Sequence, residues 1–256
     1  MAALSLTLHF VRREIGNRYL GSFSGGLWAL FQPLIQLAVY SLVFVYVFRQ
    51  GAPPGSSVGY VPFLFMGLWP WTMFAESLSR ATTVIQDNAA LIGKVALPRD
   101  VLVFSVVAGS FLVQLAGFVL ICLVLRASGA AVDLAALPIA LLAFVQLFVF
   151  TLGFAFLFAG VQVFVRDLAP ALPQLLMLWM FASPILYARE SLPASVQGYL
   201  DLNPFAPYPQ IFRMLLVHST PISLTSLAIS MAVALAVFGI GYGAFRRVQP
   251  HFEDFL

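Results

Sequence analysis

Six long stretches of this sequence are apolar and carry no Asp, Glu, Lys or Arg. A helix rises about 1.5 Å per residue, so roughly 20 apolar residues cover a hydrocarbon core about 30 Å thick. The fourth stretch is longer than that, which indicates a tilted or projecting helix. The predicted spans are Leu27–Phe48, Val58 to Ala75 or beyond, Val101–Leu125, a part of Leu134–Val165, Leu168–Ala188 with interruptions at Pro170, Pro173 and Pro184, and Ile222–Phe245.

The composition supports this pattern. Hydrophobic residues make up 61% of the 256 residues and charged residues 9%, against about 25% charged in a typical soluble domain. We therefore predict an all-α membrane protein with six transmembrane helices. No room is left for a soluble catalytic domain, so residues 1–256 are expected to form one domain, with an interface helix over 1–24 and the six-helix transmembrane region over 25–248.

The distribution of Lys and Arg predicts the orientation. With an even number of spans both termini lie on one side, and that side holds nine Lys and Arg residues against four on the other. Arg213 is counted among the four. Because positive charges favour the cytoplasmic side, both termini are expected in the cytoplasm. The net charge of +3 is spread along the chain, which does not suggest a nucleic-acid surface.

The residues before the first span form a basic amphipathic pattern. Apolar side chains recur every three or four residues, which places them on one helical face. That face consists of Leu4, Leu8, Val11, Ile15 and Tyr19, while Arg12, Arg13, Asn17 and Arg18 lie largely elsewhere. Such a helix is expected to lie in the cytoplasmic interface. A plain membrane anchor is the alternative.

The inner loop from Arg80 to Asp100 predicts a short helix. Asp87 or Asn88 can cap its start and Gly93 its end. Leu91 and Ile92 would then be apolar side chains in a polar loop, which suggests docking into a groove of a partner. The alternative is that they fold back onto the membrane surface.

The outer segment from Arg189 to Thr220 is long for a connection in a helical bundle. Its four prolines exclude a seventh span. Gln210 to Val217 is expected to form a short helix with Ile211, Met214 and Leu215 on its apolar side, lying in the outer interface or dipping back into it.

The sequence lacks the usual equipment of an enzyme. The three histidines fall in different segments, and no Cys or His pair has the spacing of a metal site. Gly93-Lys94 resembles the end of a phosphate loop, but Val95 replaces its Ser or Thr and Asn88 its first Gly. We therefore predict no catalytic residue, no metal site and no cofactor in this chain.

Ion-coupled transport is also disfavoured. Carriers of that kind hold ionisable groups near the membrane midplane, whereas these spans are nearly free of charge. Glu76 and Arg80 are spaced for an i, i+4 pair near the inner end of the second span. We interpret them as a pair that eases the helix into the interface; a proton relay is the alternative.

Aromatic residues make up 14% of the whole sequence, and many of them fall in the predicted spans. A pore with aromatic walls could pass a polysaccharide, because sugars have apolar faces that stack on rings. For any single ring, packing between helices is the alternative. The pore-lining candidates are Tyr40, Phe44, Trp69, Trp71, Phe74, Trp179 and Tyr187.

Four short motifs follow one another along this topology. They are Arg18-Tyr19 with Gly21-Ser22, Gly25, Trp28-Ala29-Leu30 and Pro33; Asn88, Leu91, Ile92 and Lys94 with Leu97-Pro98-Arg99 and Val101-Leu102; Arg166-Asp167; and Leu202-Asn203-Pro204. Together they resemble the permease subunit of ABC-2 type exporters, in particular the O-antigen and capsular polysaccharide group. The resemblance covers essentially the whole chain.

The resemblance implies a homodimer with the pore between the two copies. Each copy would dock a separate cytoplasmic ATP-binding subunit, and these two subunits would hold the ATP and Mg²⁺. The cargo would be a glycan on a polyprenyl diphosphate lipid at the inner membrane of a bacterium. Short re-entrant helices before the last span would help to close the outer end of the pore.

The resemblance also implies site residues. Docking of the ATP-binding subunit would use Gln86, Asp87, Asn88, Leu91, Ile92, Lys94, Pro98 and Arg99. The lipid diphosphate would enter beside Arg12, Arg13, Arg18, Tyr19 and Gly25, because guanidinium groups pair well with diphosphate oxygens. The outer gate would comprise Asn203, Pro204, Phe205 and Tyr208.

Other functions remain open at this point. The same fold could export teichoic acid or a small lipid or drug. A membrane-embedded glycan-processing enzyme would need convergent acids, and Asp133, Asp201 and Glu190 form no recognisable constellation. A passive channel or scaffold would make no use of an ATPase.

Overall fold

The apolar stretches are helical in a computed structural model of the chain, which describes residues 2–19, 28–47, 49, 59–93, 98–217 and 223–255. Within these ranges the chain forms ten α-helices and no strand. They are α1 (Ala2–Tyr19), α2 (Trp28–Ser41), α3 (Tyr60–Asp87), α4 (Ala89–Ile92), α5 (Arg99–Ala127), α6 (Leu137–Phe164), α7 (Leu168–Phe181), α8 (Ala194–Leu200), α9 (Pro207–Leu216) and α10 (Leu224–Val248). A π-helical turn, Leu42–Val47, extends α2, and Gln249–Asp254 forms a 3₁₀ segment after α10. The all-α prediction is confirmed.

Three helical segments among the described residues are long and apolar enough to cross a membrane. They are Arg99–Ala127, Leu134–Phe164 and Leu224–Glu253, and two shorter apolar helices cover Leu34–Val47 and Leu168–Phe181. The three long segments coincide with the predicted third, fourth and sixth spans. The count of six stays a prediction.

Two helices end at other residues than the predicted spans to which they belong. The second span was predicted to reach Ala75 or beyond, and its helix continues to Asp87, because no Pro or Gly interrupts residues 76–87. The fifth span was predicted to be interrupted by prolines, and its helix ends at Phe181, before Pro184. Pro184 explains this end, since a proline disfavours helical backbone at the residue before it and removes a backbone donor.

Helices α6 and α10 cross so closely that their backbones touch. A Cβ atom added to Gly241 would lie 1.9 Å from the carbonyl oxygen of Gly153. A Cβ atom on Gly153 would lie 2.6 Å from the backbone nitrogen of Phe238. Small residues permit such crossings in membrane proteins, where packing and not water exclusion holds helices together.

We predict that Gly241→Ala destabilises this crossing, because the added methyl group must push the two backbones apart. Overpacking of this kind costs about 1–3 kcal/mol. The matched control is Gly243→Ala in the same helix, where a Cβ atom meets nothing within 4 Å. The midpoint of thermal unfolding in detergent should fall for Gly241→Ala and stay unchanged or rise for the control. Equal midpoints would contradict the crossing.

Candidate functional site

The short helix predicted in the inner loop is present as α4, directly after α3. Gly93 follows its last residue, as predicted. Asn88 holds the N-cap position, but its side chain makes no capping bond, and the backbone N–H groups of Leu91 and Ile92 donate to the Asn88 carbonyl instead. Asp87 accepts a hydrogen bond from the Thr83 hydroxyl at 2.8 Å. The helix was therefore predicted correctly and its side-chain cap was not.

Leu91 and Ile92 differ in exposure, which corrects their joint assignment as docking side chains. Ile92 is only 8% exposed and belongs to the chain's own hydrophobic core. It anchors α4 and is not available to a partner. Leu91 is partly exposed and Pro98 is exposed, so both remain candidates. Lys94 lies outside the described residues.

Gln86 ties the end of α3 to the junction of α6 and α7. Its side-chain amide donates to the carbonyl of Gln162 at 3.1 Å, and the amide of Gln162 donates back to Gln86 at 3.0 Å. The side-chain oxygen of Gln162 accepts from the backbone of Ala169 in α7 at 2.8 Å. One amide pair therefore joins three helices.

Arg99, one of the predicted docking residues, is engaged within the chain. Its guanidinium donates to the Gln249 carbonyl and pairs with Glu253, both in the segment after α10. It also lies 5.9 Å from the ring centre of Phe252, which is fully buried. The start of α5 is thereby fastened to the C-terminal segment.

Helix α1 packs against α5 and binds α3. Gly109 of α5 permits this approach, because a Cβ atom there would lie 3.0 Å from Cγ of Glu14. Glu14 pairs with Arg80 of α3, and Arg13 donates to the Asn88 side chain at 3.2 Å. Val11 is buried as predicted, whereas Leu8 is exposed.

Arg80 and Glu76, which the sequence predicted as a pair along α3, both bind residues of other helices. Arg80 reaches Glu14, which is 66 residues away in sequence. Glu76 accepts a hydrogen bond from the side-chain amide of Gln114 in α5. Arg80 thus links α3 to α1, and Glu76 links it to α5.

The cations expected at the diphosphate site lie on α1. Arg12 and Arg13 are exposed. Arg18 and Tyr19 fall in the last turn of the helix, where only the backbone is described, and Gly25 lies outside the described residues. Within the described part of α1, Arg12 and Arg13 are the groups open to an anion.

Three of the seven pore-lining candidates join two outer-gate residues in one buried aromatic cluster, which we call the central cluster. Trp71 lies 4.9 Å and Phe74 5.4 Å from Phe205, measured between ring centres. Trp179 lies 5.3 Å from Phe74. Tyr208 stands 5.5 Å from Phe205. Because Phe74 and Phe205 have no exposed surface, these rings pack within the chain.

The remaining aromatic candidates lie elsewhere. Trp69 is buried between α3 and α5, where its indole N–H donates to the Gln114 carbonyl at 3.0 Å. Tyr40 and Phe44 are partly exposed, and Phe44 lies 5.5 Å from the ring of Tyr60. Tyr187 is partly exposed and donates to the Phe181 carbonyl. The structure does not gather the seven rings along one surface.

Asn203 fastens the outer segment to the end of α7. Its side-chain oxygen accepts from the Trp179 indole at 2.9 Å and from the Phe205 backbone at 3.0 Å. Its amide donates to the hydroxyl of Ser183 at 2.8 Å and to the carbonyl of Ala182 at 3.1 Å. Pro204 follows and is partly buried. These four hydrogen bonds, which we call the Asn203 staple, hold Phe205 in the central cluster.

Arg213 is the site residue that sequence reasoning missed. It was counted as an outer-loop charge, yet it is 6% exposed. Its guanidinium donates to the carbonyls of Phe63 at 3.1 Å, Pro184 at 2.8 Å and Ile185 at 2.6 Å. It also lies 3.5 Å from the ring centre of Phe63. A side chain with five N–H donors can satisfy several carbonyls at once, here two in the irregular segment after α7 and one in α3.

One feature of the sequence indicates that the Arg213 side chain is buried. Arg213 follows Pro209 by four residues and precedes Leu216 by three, so it shares their apolar face of α9. Gly67 of α3 provides the room, because a Cβ atom there would lie 2.5 Å from Nη2 of Arg213. Met214, assigned to the apolar side, is partly exposed instead.

An exposed ion pair lies beside this region. Arg189 binds Asp201 through two bonds, of 2.5 and 2.9 Å. Chiefly through the hydrogen bond to Asp201, the pairing raises the pKa of the Arg189 guanidinium above its ordinary value. The guanidinium therefore stays charged, and its charge is balanced locally.

The fold, the polar ties and the comparisons together define the class of protein. Residues 5–217 match the profile of the ABC-2 type transporter family, so the chain belongs to that family. The apolar helices and this family make it a multi-pass membrane protein. Among the described residues no group of three or more His, Cys, Asp or Glu could hold a metal ion.

Three named relatives indicate which kind of ABC-2 transporter the chain is similar to. The chain is 36% identical over 193 residues to the O-antigen export system permease protein RfbA of Myxococcus xanthus, covering 73% of this chain and 70% of the relative. It is 28% identical to RfbA of Klebsiella pneumoniae, covering 98% and 95%. It is 25% identical to the polysialic acid transport protein KpsM of Escherichia coli, covering 88% and 87%. The resemblance read from the motifs is confirmed.

We predict that Arg213→Met severely destabilises the protein. The carbonyls of Pro184 and Ile185 lose their donor, and each unpaired buried group costs about 1–3 kcal/mol. The matched control is Arg126→Met, since Arg126 is exposed at the end of α5 and such changes stay within about 0.5 kcal/mol. Membrane abundance and thermal unfolding in detergent measure both. A stable Arg213→Met protein would show that the buried guanidinium is dispensable.

Proposed function

We propose that this chain is the membrane permease of an ATP-driven exporter that moves a polyprenyl-diphosphate-linked polysaccharide, of the O-antigen or capsular type, across a bacterial inner membrane. The observation that carries the proposal is the similarity to a permease named for O-antigen export, which covers 98% of this chain and 95% of the relative. The similarity to KpsM keeps capsular polysaccharide among the cargo classes.

The topology that fits this function has six spans, formed by α2, α3, α5, α6, α7 and α10, with both termini in the cytoplasm. Helix α7 has only 14 residues, about 21 Å at 1.5 Å per residue, so residues 182–188 must complete the fifth span. Irregular backbone is tolerated at membrane depth where protein buries it. Ser183, Pro184 and Ile185 are buried, and Arg213 supplies donors to two of their carbonyls.

In this topology α1 lies in the cytoplasmic interface, and α8 and α9 are the short re-entrant helices before the last span. Residues 1–24 and 25–248 then belong to one domain. The ties of Glu14 to Arg80 and of Arg13 to Asn88 support this, because they hold α1 against the transmembrane helices.

The chain works as a homodimer with two cytoplasmic ATP-binding subunits, which hold the ATP and Mg²⁺. Polar bonds next to α4 join the inner end of α3 to α1, α6 and α7. A force applied to α4 therefore acts on these helices through α3. Leu91 is partly exposed and Pro98 is exposed at this position, and with Lys94 and Asp87 they form the docking surface.

Arg12 and Arg13 are the cations that meet the lipid diphosphate, with Arg18 in the following turn. Guanidinium groups bind phosphate oxygens in pairs. Tyr40, Phe44 and Tyr187 are the aromatic side chains that remain partly exposed for a pore between two copies. The rings of the central cluster support the outer gate from within the chain.

We predict that deleting the gene leaves lipid-linked glycan on the cytoplasmic leaflet and removes it from the cell surface. The tagged wild-type protein in mild detergent should carry an ATP-binding subunit with it. Export at an undiminished level in the deletion strain would refute the proposal. So would transport at full rate by the purified chain alone in liposomes.

We predict that Leu91→Asp blocks export while the permease still inserts. Burying a leucine side chain at an interface is worth roughly 1.5–3 kcal/mol, and an aspartate there adds a desolvation cost. The matched control is Ala90→Asp, which places the same charge on an exposed neighbour in α4. Surface glycan and co-purification of the ATP-binding subunit are the measurements. Equal export by the two variants would show that Leu91 does not dock the ATP-binding subunit.

A further inference from the structure

A cavity of about 650 Å³ opens between α9, the segment before α8, and the first turns of α10. Its volume falls within the range of about 300–1,000 Å³ typical of small-ligand sites. Phe63, Ile211 and Arg213 form its buried end, because each is less than a tenth exposed. The ion pair of Arg189 with Asp201 lies at its exposed end.

Hydroxyl groups line one wall of the cavity. Ser223, Ser226 and Ser230 are spaced by three and four residues at the start of α10, so they lie on one face. Ser223 and Ser226 are exposed, while the Ser230 hydroxyl bonds Gln146 at 3.1 Å. The opposite wall carries the Gln210 side chain on α9. Hydroxyls and amides both donate and accept hydrogen bonds, as the hydroxyl groups of a sugar do.

Apolar side chains lie between these polar groups. Met214 and Ile229 line the cavity and are not buried, and Ile229 is 60% exposed. A sugar presents C–H faces as well as hydroxyls, so a mixed lining suits it. A purely apolar lining would instead favour an acyl chain.

The charges of the lining balance, which argues against an anionic headgroup. Arg189 and Arg213 are matched by Asp201 and Glu190. Arg189 is bound to Asp201, and three of the five N–H donors of Arg213 are used by backbone carbonyls. A site for a phosphate group would show an excess of positive charge. A neutral, hydroxyl-rich ligand fits the balance better.

We propose that this cavity is a glycan subsite at the outer end of the permease, occupied by neutral sugar units as the polymer leaves. The assignment deepens the proposed function and rests on it for the cargo and for the outer location. Sugar units held there would contact α9 and the Asn203 staple, and thus the segment that closes the outer end.

The test uses cysteine accessibility in intact cells. Cys122 is the chain's one cysteine and is fully buried, so an applied reagent reports on an introduced cysteine. Ser226→Cys and Met214→Cys probe the two walls. Thr225→Cys is the matched control, since Thr225 is exposed on the same turn of α10 and does not line the cavity. The probe is a membrane-impermeant maleimide.

Labelling rates are compared between cells that make the glycan and cells in which its synthesis is blocked. We expect the rate at Ser226→Cys or Met214→Cys to fall by about fivefold in glycan-making cells if the site is about 80% occupied, and the Thr225→Cys rate to stay unchanged. Equal rates with and without glycan at both walls would overturn the subsite, because lipid or the protein itself would then fill the cavity. Absence of labelling from outside would overturn its location.

Surface glycan measured in the same strains separates the two proposals. If the wild-type gene is required for surface glycan but neither cysteine is protected by it, the subsite fails and the permease proposal stands. If surface glycan does not depend on the gene, the permease proposal fails and the subsite loses its cargo with it.

Discussion

Hydrocarbon offers no hydrogen-bond partners, so every polar group placed among apolar helices must find its partner inside the protein. This constraint explains where the few polar side chains of the chain go. The guanidinium of Arg213 binds three carbonyls, the amide of Gln162 joins three helices, and Asn203 uses both ends of its side chain. The polar residues therefore fix the arrangement of helices that apolar packing alone would leave less specific.

The side-chain hydrogen bonds and ion pairs that join the helices fall into two groups. On the inner side, bonds from Asn88, Gln86 and Arg99 lead to three different parts of the chain around one four-residue helix. On the outer side, Arg213 and Asn203 fasten two irregular segments to each other. Between them, α6 and α10 meet backbone to backbone at Gly153 and Gly241. Because a side chain at either glycine would collide with the facing backbone, this crossing fixes how closely α6 and α10 pack.

The sequence predicted what depends on local pattern. The apolar stretches became helices, the loop helix stopped at Gly93, and the short helix of the outer segment appeared within a few residues of its predicted bounds. Residue spacing along a helix predicts side-chain contacts only within about one turn. It therefore suggested Glu76 as a partner of Arg80 and could not identify Glu14, which is 66 residues away in sequence. Amino-acid composition could not distinguish aromatic side chains that line a pore from those that pack between helices. Phe74 illustrates this, since it has no exposed surface.

Helix α3 joins the two groups of ties. It runs from Tyr60, whose hydroxyl donates to the Leu186 carbonyl at 2.7 Å, to the inner end near Gln86, about 42 Å at 1.5 Å per residue. Pro70 lies inside it and removes one backbone hydrogen bond, which makes this the position where α3 bends most readily.

The bend position separates two anchored halves of α3. The outer half is held by Arg213 through the Phe63 carbonyl, and the inner half carries Gln86 together with Trp71. Trp71 packs on Phe205 at 4.9 Å, so the half of α3 after Pro70 contacts Phe205, while the half before it binds Arg213. The same helix thus leads from α4 to the segment that carries Phe205 and Arg213.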